Sequence, residues 1–358
     1  MGRCGLPTIR DVAREAGVSV ASASRALNGL SNVTEEMRQR VWAAANKLKF
    51  VPHSGARSLT RKKSDAIGVI LPDLFGEYFS EIVRGIDRAA HRSGLQLLLG
   101  NMHGNAHETT VTIRAMHGRV DGLIVMPTEV EISALATSLP TGFPVVMLNC
   151  ESGDLTVPNV AIDNYAGAYQ MTRELIAAGY RKIAHIAGPK ANRDAQDRLR
   201  GFTDAMSDLA GVSAPVILSG DFSEEAGGEA ARLLINGGMN VDVVFAANDM
   251  MAVGCLMALK EKGFDIPGQI AVVGFDDIPL ARFVSPALTT MRVNMAELGE
   301  IAAMMLIEQI KSSTDGIVSA NASPPSNRII VPEFVKRQSS SEIMGGDVPS
   351  ARSTLKAK

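Results

Sequence analysis

The sequence predicts an all-α head of the helix-turn-helix type, joined to an α/β body of two doubly wound parallel-sheet subdomains. Three observations lead there. Residues 8–29 divide into two short helical patterns around Ala16–Gly17–Val18–Ser19. From about residue 66, continuous apolar strands alternate with amphipathic helices, and the rhythm runs twice. Charge is divided too: residues 1–65 hold 12 Lys and Arg against 5 Asp and Glu, although the whole chain nets −2. A basic head on an acidic body is the footprint of a phosphate-binding module.

In the head, Thr8 with Asp11 three residues on resembles a capping box, so a first helix starts at Ile9. Ile9, Val12, Ala13 and Ala16 share one stripe, and Gly17 stops the helix. Ser19 is a good N-cap for a second helix that buries Ala23, Ala26 and Leu27. Val20, Ala21, Ser24 and Arg25 then share its opposite face, and Asn28–Gly29 ends it. Thr34 caps a third helix with Met37, Val41, Ala44, Ala45 and Leu48 at helical spacing. Trp42, the single tryptophan, falls on or beside the small core these helices close. The second helix is of the kind that enters a DNA major groove. An ordinary helical subdomain with a solvated face is the plainer alternative, and the charge weighs against it.

In the body, AIGVILPDL is followed by a helix from Tyr78 to Ser93, LQLLLGNM, a helix near 107–118, VDGLIVMP and PVVMLNC. The second half runs RKIAHIAG, a helix near 195–208, PVILSGDF, a helix 224–236, VDVVFAAND, a helix 249–262 and IAVVGFDD. Ligands of such folds bind beyond the carboxyl ends of strands, so the expected pocket is a cleft between the two halves. Between head and body, residues 51–66 read as a flexible basic linker. Leu59, with Ala56 beside it, instead suits a minor-groove wedge on a helix that orders on DNA. Residues 339–358 are rich in Ser and Gly and read as a disordered tail.

Several function classes find no support. No G-x-G-x-x-G follows the first strand, and there is no P-loop and no G-x-S-x-G elbow. His103 and His107 lack a third ligand and read as loop histidines. No cofactor is expected. Cys4, Cys150 and Cys255 are odd in number and far apart, which suggests reduced thiols. No apolar run reaches bilayer length, and the first ten residues have no secretory apolar region. The expectation is a cytoplasmic protein without a membrane partner. A periplasmic sugar-binding protein would have the same body, but the basic head and missing signal oppose it.

From residue 8 to about 336 the chain resembles the lactose-repressor/galactose-repressor (LacI/GalR) family of bacterial regulators. The resemblance rests on TIRDVAREAGVSVASASRALNG, ARSL at 56–59, VDGLIV at 120–125, DRLRGF at 197–202, ANDMMAVG at 247–254, VVGFDD at 272–277 and SPALTT at 285–290. It implies a periplasmic-binding-protein-like core with three crossovers, dimerisation through the core, and allosteric control of a pseudo-palindromic operator by a small effector. It places the DNA-binding domain at 1–50, the hinge at 51–65 and the core at 66–338. Subdomain one then spans about 66–163 and 292–323, and subdomain two about 164–291 and 324–338.

On this resemblance Val20 and Ala21 fall where operator bases are read, Arg25 on the recognition-helix arginine, and Leu59 on the leucine inserted at the operator centre. Arg25 suits a bidentate contact to guanine, and Val20 and Ala21 suit thymine methyls. Ser22 and Ser24 are better placed for phosphate; Thr8, Ser19, Asn28 and Ala56 complete the candidate DNA-contacting set. Arg198, Asn248 and Asp276 match effector-contacting positions, with Asp276 accepting two hydroxyls and Arg198 donating in a fork. The alternative for that pair is an ion pair of the protein itself. Tyr78, Phe79 and Phe222 match aromatic walls, and Asp73 and Asn101, each after a strand, reach toward the cleft. NRDAQD at 192–197 departs from the purine-repressor pattern, so a sugar, sugar acid or polyol is the expected effector, with a nucleoside or purine as the alternative.

Overall fold

A computed structural model describes residues 7–29, 32–51, 63–102, 106–127, 138–140, 142–150, 157–208, 214–314 and 327–341. Ala56, Leu59, Cys4 and His103 lie outside the described residues.

The head is three helices, α1 (Ile9–Ala16), α2 (Val20–Leu27) and α3 (Glu35–Lys47). The Asp11 carboxylate accepts the Thr8 N–H at 3.0 Å and the Thr8 hydroxyl at 2.7 Å, which starts α1. Gly17 ends it at φ 63°, and the Arg40 guanidinium donates to the Ala16 carbonyl at 2.8 Å. The Ser19 hydroxyl accepts the Ser22 N–H at 3.0 Å and caps α2. Val12, Ala13, Ala23, Ala26, Leu27, Val41 and Ala45 form the core. Trp42 stays outside it and is exposed. Small alanines at the helix contacts let three short helices approach closely enough to bury a core without a large aromatic.

The body contains two six-stranded sheets. The first uses β1 (Ala66–Leu71), β2 (Gln96–Asn101), β3 (Leu123–Val125), β4 (Val145–Leu148), β5 (Asn159–Ile162) and β11 (Arg328–Ile330), in the order β2-β1-β3-β4-β5-β11. Helices α4 (Glu77–Arg92), α5 (Ala106–Met116) and α10 (Met295–Thr314) belong with it. The second uses β6 (Ile183–Ala187), β7 (Val216–Ser219), β8 (Val243–Ala246), β9 (Ala271–Asp276), β10 (Thr289–Arg292) and β12 (Glu333–Val335), in the order β7-β6-β8-β9-β10-β12. Its helices are α6 (Asn164–Ala177), α7 (Arg193–Ser207), α8 (Glu224–Asn236) and α9 (Asp249–Glu261). Among the described residues, only the β10–β12 pairing is antiparallel. In both sheets strand order reverses beside the first strand, which opens a crevice at the carboxyl ends.

The chain crosses between subdomains three times, after β5, after β10 and after β11. Two expected boundaries move. Residues 328–330 were expected in subdomain two, yet β11 pairs parallel with β5 in the first sheet, and only β12 joins the second. The Val331–Pro332 step between them lets two three-residue strands serve different sheets. The disordered tail does not begin at 339. The Ser339 hydroxyl accepts the Thr289 N–H at 2.8 Å and donates to the Val272 carbonyl at 2.6 Å, and the Ser341 N–H donates to the Tyr180 hydroxyl at 3.0 Å. Cys150 and Cys255 are both buried.

His185 on β6 is fully buried, stacked on Phe202 at 4.7 Å and against Phe245 at 5.0 Å. Burial lowers its pKa to about 3. Below pH 6.5 the unfolded chain therefore takes up a proton that the folded chain refuses, so this histidine erodes stability as pH falls from about 6.5 towards 3. The expected outcome for His185→Leu is a stability gain over wild type of about 1.4 kcal/mol for each pH unit below 6.5, read by urea unfolding at pH 7.5, 6 and 5. A pH-independent difference would contradict it.

Candidate ligand cleft and DNA-reading face

A cavity of about 310 Å³ lies between the two subdomains, at the carboxyl ends of both sheets. The first subdomain supplies Asp73 after β1, Tyr78 and Phe79 at the start of α4, and Met126 after β3. The second supplies Asp194 and Arg198 on α7, Phe222 after β7, Asn248 before α9, and Asp276 at the end of β9.

Arg198 is the centre of the polar wall, and it is buried. Its Nε donates to Asn164 Oδ1 at 2.8 Å, and its Nη1 to the Ala247 carbonyl at 2.6 Å. Nη2 lies 3.1 Å from Asp276 Oδ1, and the guanidinium rests on the Phe275 ring, 3.9 Å from its centroid. The fork expected to grip a ligand is thus turned largely into the protein. The ion-pair alternative describes Arg198 and Asp276 better, and Asp276 Oδ1 still receives no hydrogen bond of normal geometry. Asn248 is similarly committed: its Oδ1 caps α9 by accepting the Met251 N–H at 3.0 Å, and its Nδ2 donates to the Phe222 carbonyl at 3.0 Å. Asn248 shapes the wall through Phe222.

Phe222 owes its place to close helix packing. A Cβ on Gly254 would stand 1.8 Å from the Glu224 carbonyl oxygen, so α8 and α9 approach to backbone contact near their N-termini. Its ring covers Gly188, where any Cβ would lie 2.6 Å from the ring. Phe222, Asn149, Asp276 and Asp277 hold φ of 75°, 46°, 114° and 56°. They are four of the six positive-φ non-glycine residues described, and all four follow or end strands around the cleft. Such strain, about 1–3 kcal/mol per residue, collects at functional sites.

The sequence alone did not reveal Asn149, Asp194 or Asn164. Asn149 Nδ2 donates to the Tyr78 hydroxyl at 2.9 Å and to Asp194 Oδ2 at 3.2 Å, which joins the two subdomains across the cleft. Glu77 makes a second bridge, accepting the Leu280 N–H at 2.8 Å. These partners are far apart in sequence and carry no local spacing signal. Asn101 is corrected: it ends the edge strand β2, its carbonyl accepts the Thr112 hydroxyl at 3.2 Å, and it does not line the cavity.

Desolvation raises both acids beside Arg198. Asp276 and Asp194 are each pushed up to about 6, with the arginine opposing the shift. Burial, then Asp194 and Asp276, hold the Tyr78 phenol well above its usual range.

Asp277, the next residue, is a clamp on the second crossover. Its carboxylate takes Arg292 Nε at 2.7 Å from the end of β10 and Arg337 Nη2 at 2.5 Å from beyond β12. Arg282 Nη2 stands 3.7 Å away and is exposed. The Asp276 carbonyl accepts the Val293 N–H at 3.1 Å on the second crossover. Asp276, which lines the cavity, is therefore one peptide from the ties to the second crossover.

In the head, Val20 and Arg25 stand exposed on α2, and no ion pair or hydrogen bond engages the Arg25 side chain among the described residues. Ala21 is exposed beside them, with Ser24 half-buried. Ser19 and Ser22 share a hydrogen bond of 2.9 Å at the start of α2, and the Thr8 hydroxyl is spent on Asp11. Asn28 is corrected: it is buried at the C-terminus of α2, with Nδ2 3.3 Å from the Ser24 hydroxyl.

Removing the clamp strands charge in a buried place. Asp277→Ala is expected to cost about 3–5 kcal/mol of stability, while Arg282→Ala, at an exposed and distant guanidinium, costs under about 1 kcal/mol. Guanidinium unfolding checks both; equal losses would contradict the clamp.

Comparison with known proteins agrees with this geometry. Residues 8–53 match the family described as "Bacterial regulatory proteins, lacI family", and residues 64–337 match "Periplasmic binding proteins and sugar binding domain of LacI family". The chain is 34% identical to the HTH-type transcriptional repressor PurR of Klebsiella pneumoniae over 324 residues, 89% of this chain and 95% of that one. The lac repressor dimer bound to operator and the anti-inducer ONPF is similar in structure, with a TM-score of 0.79 and 26% identity over 94% of this chain and 99% of that one. The regulator CelR in complex with cellobiose gives a TM-score of 0.68 and 27% identity over 93% and 100%. With head, cleft and crossovers all accounted for over nearly its whole length, the chain belongs to the LacI family of DNA-binding transcriptional repressors.

Proposed function

We propose that this repressor holds a two-fold operator as a homodimer and that a sugar or polyol bound in the cleft switches that hold. The single observation that carries the reading is the cavity itself. It joins the Arg198–Asp276 wall to aromatic rings, and Asp276 is adjacent to the clamp on the second crossover. Its volume sits at the small end of the usual range of about 300–1,000 Å³ for ligand sites. Carboxylates accept hydroxyls, and aromatic faces cover the apolar side of a sugar ring. A nucleoside is the second reading, favoured by Tyr78, Phe79 and Phe222 lining one cavity, since a planar base stacks on such rings.

On DNA, Arg25 reads guanine, Val20 and Ala21 pack on thymine methyls, and Leu59 in the hinge enters the minor groove. Effector binding changes the subdomain angle, the crossovers transmit it, and operator affinity changes by the coupling free energy.

Fluorescence anisotropy on a selected operator and on random duplex tests both halves. Arg25→Ala should lose operator preference by about 1–3 kcal/mol yet keep salt-sensitive binding to random DNA. Equal loss on both would end the base-reading role. Asp276→Asn should bind operator like wild type and ignore the effector. A wild-type response from that variant would remove the cleft from the switch.

A further inference from the structure

The inner wall of the cleft holds one cation and two acids. Arg198 is already engaged by Asn164, the Ala247 carbonyl, Asp276 and the Phe275 face. Its charge is matched once, by Asp276 at 3.1 Å. Asp194, four residues earlier on α7, lines the same cavity and has no cation of its own there. Among the described residues, only its Oδ2 is hydrogen-bonded, by the Asn149 amide at 3.2 Å. Asp276 Oδ1, on a side chain 4% exposed, receives no hydrogen bond of normal geometry. Towards the rim, Asp73, Glu77, Asp221, Glu224 and Glu225 add acids, and among the described residues no Lys or second Arg lines the cavity. Glu77 and Asp221 already accept hydrogen bonds from the chain, but their charge remains.

We propose that Asp194 makes this cleft selective for uncharged or cationic, hydrogen-bond-donating ligands, and that sugar acids, phosphosugars and nucleotides are rejected. This rests on the cleft being the effector site and narrows the effector class within that reading. An anionic ligand would enter a half-dry space already one charge negative, against unscreened acids at short range. A hydroxyl, amine or N–H would instead satisfy the open acceptors of Asp194 and Asp276. Desolvation pushes both acids up although Arg198 opposes the shift, so burial of the pair is only partly offset by the one cation. The sugar acid allowed by the sequence is thereby removed from the candidates.

The test uses the full-length protein and two matched ligand sets, glucosamine, glucose and glucuronate, then cytidine and cytidine monophosphate. Melting temperature is followed as each is titrated at pH 7.5, with Phe222→Ala as the control for binding in the cleft. In wild type, the uncharged or cationic member of at least one set should bind at least tenfold more tightly than its anionic member. Asp194→Asn, which keeps shape and the Asn149 contact, should shrink that ratio at least fivefold. Glucuronate or cytidine monophosphate binding as tightly as its uncharged partner overturns the proposal. So does an unmoved ratio in Asp194→Asn, or no binding by any uncharged or cationic member. If Asp194→Asn does not fold, Asp194→Ser serves in its place. An anionic ligand lost in Phe222→Ala defeats this inference alone. An effector that alters operator binding and is untouched by Phe222→Ala and Asp276→Asn defeats the cleft as the effector site.

Discussion

Burying Arg198 is the constraint around which the body is arranged. A guanidinium taken out of water costs several kcal/mol unless its donors and charge are met. Here four different places meet it: Asn164 at the first crossover, the end of β8, the end of β9, and the Phe275 ring. Each of those groups is thereby fixed. The floor of the cleft is rigid for this reason, and the strained backbone at Asp276 and Asp277 persists because its surroundings determine it from several sides.

The same arrangement explains how a small ligand can reach a distant head. Asp276 faces the cavity, while its carbonyl and the neighbouring Asp277 hold the second crossover, and Asp277 also ties down Arg337 beyond β12. Among the described residues, Asn149–Asp194 and Glu77–Leu280 are polar bridges across the cleft, and one apolar cluster holds buried residues of both subdomains, Ile82 and Ile86 of the first with Phe202, Phe245 and Phe275 of the second. A ligand that bridges both walls favours one subdomain angle over others by its differential contacts.

Much of this was legible in the sequence. The alanine stripes of the head, the doubly wound rhythm and the cleft side chains at strand ends are local signals, because helix and strand periodicity is a property of neighbours along the chain. Arg198, Asp276, Phe222 and the α2 face followed from them together with the family resemblance. What escaped was non-local. Asn149 and Asp194 are 45 residues apart. The family resemblance places residues 324–338 whole in subdomain two, although Pro332 parts RII and EFV between two sheets. Ser339–Ser341 looked like tail because serine is polar, yet their hydroxyls and N–H groups complete the edge beside β9 and β10. Asn28 carried turn chemistry, and it is buried at the end of α2.

The account's central claim is that cleft and operator are coupled through Asp276, Asp277 and the crossovers. The most direct measurement is calorimetric titration of a cleft ligand into free protein and into protein saturated with operator. The account predicts two different affinities, with a ratio equal to the ratio of operator affinities with and without ligand. It further predicts that a folded Asp277→Asn variant binds ligand normally but with a ratio closer to one. Identical ligand affinities for free and operator-bound wild type would contradict it.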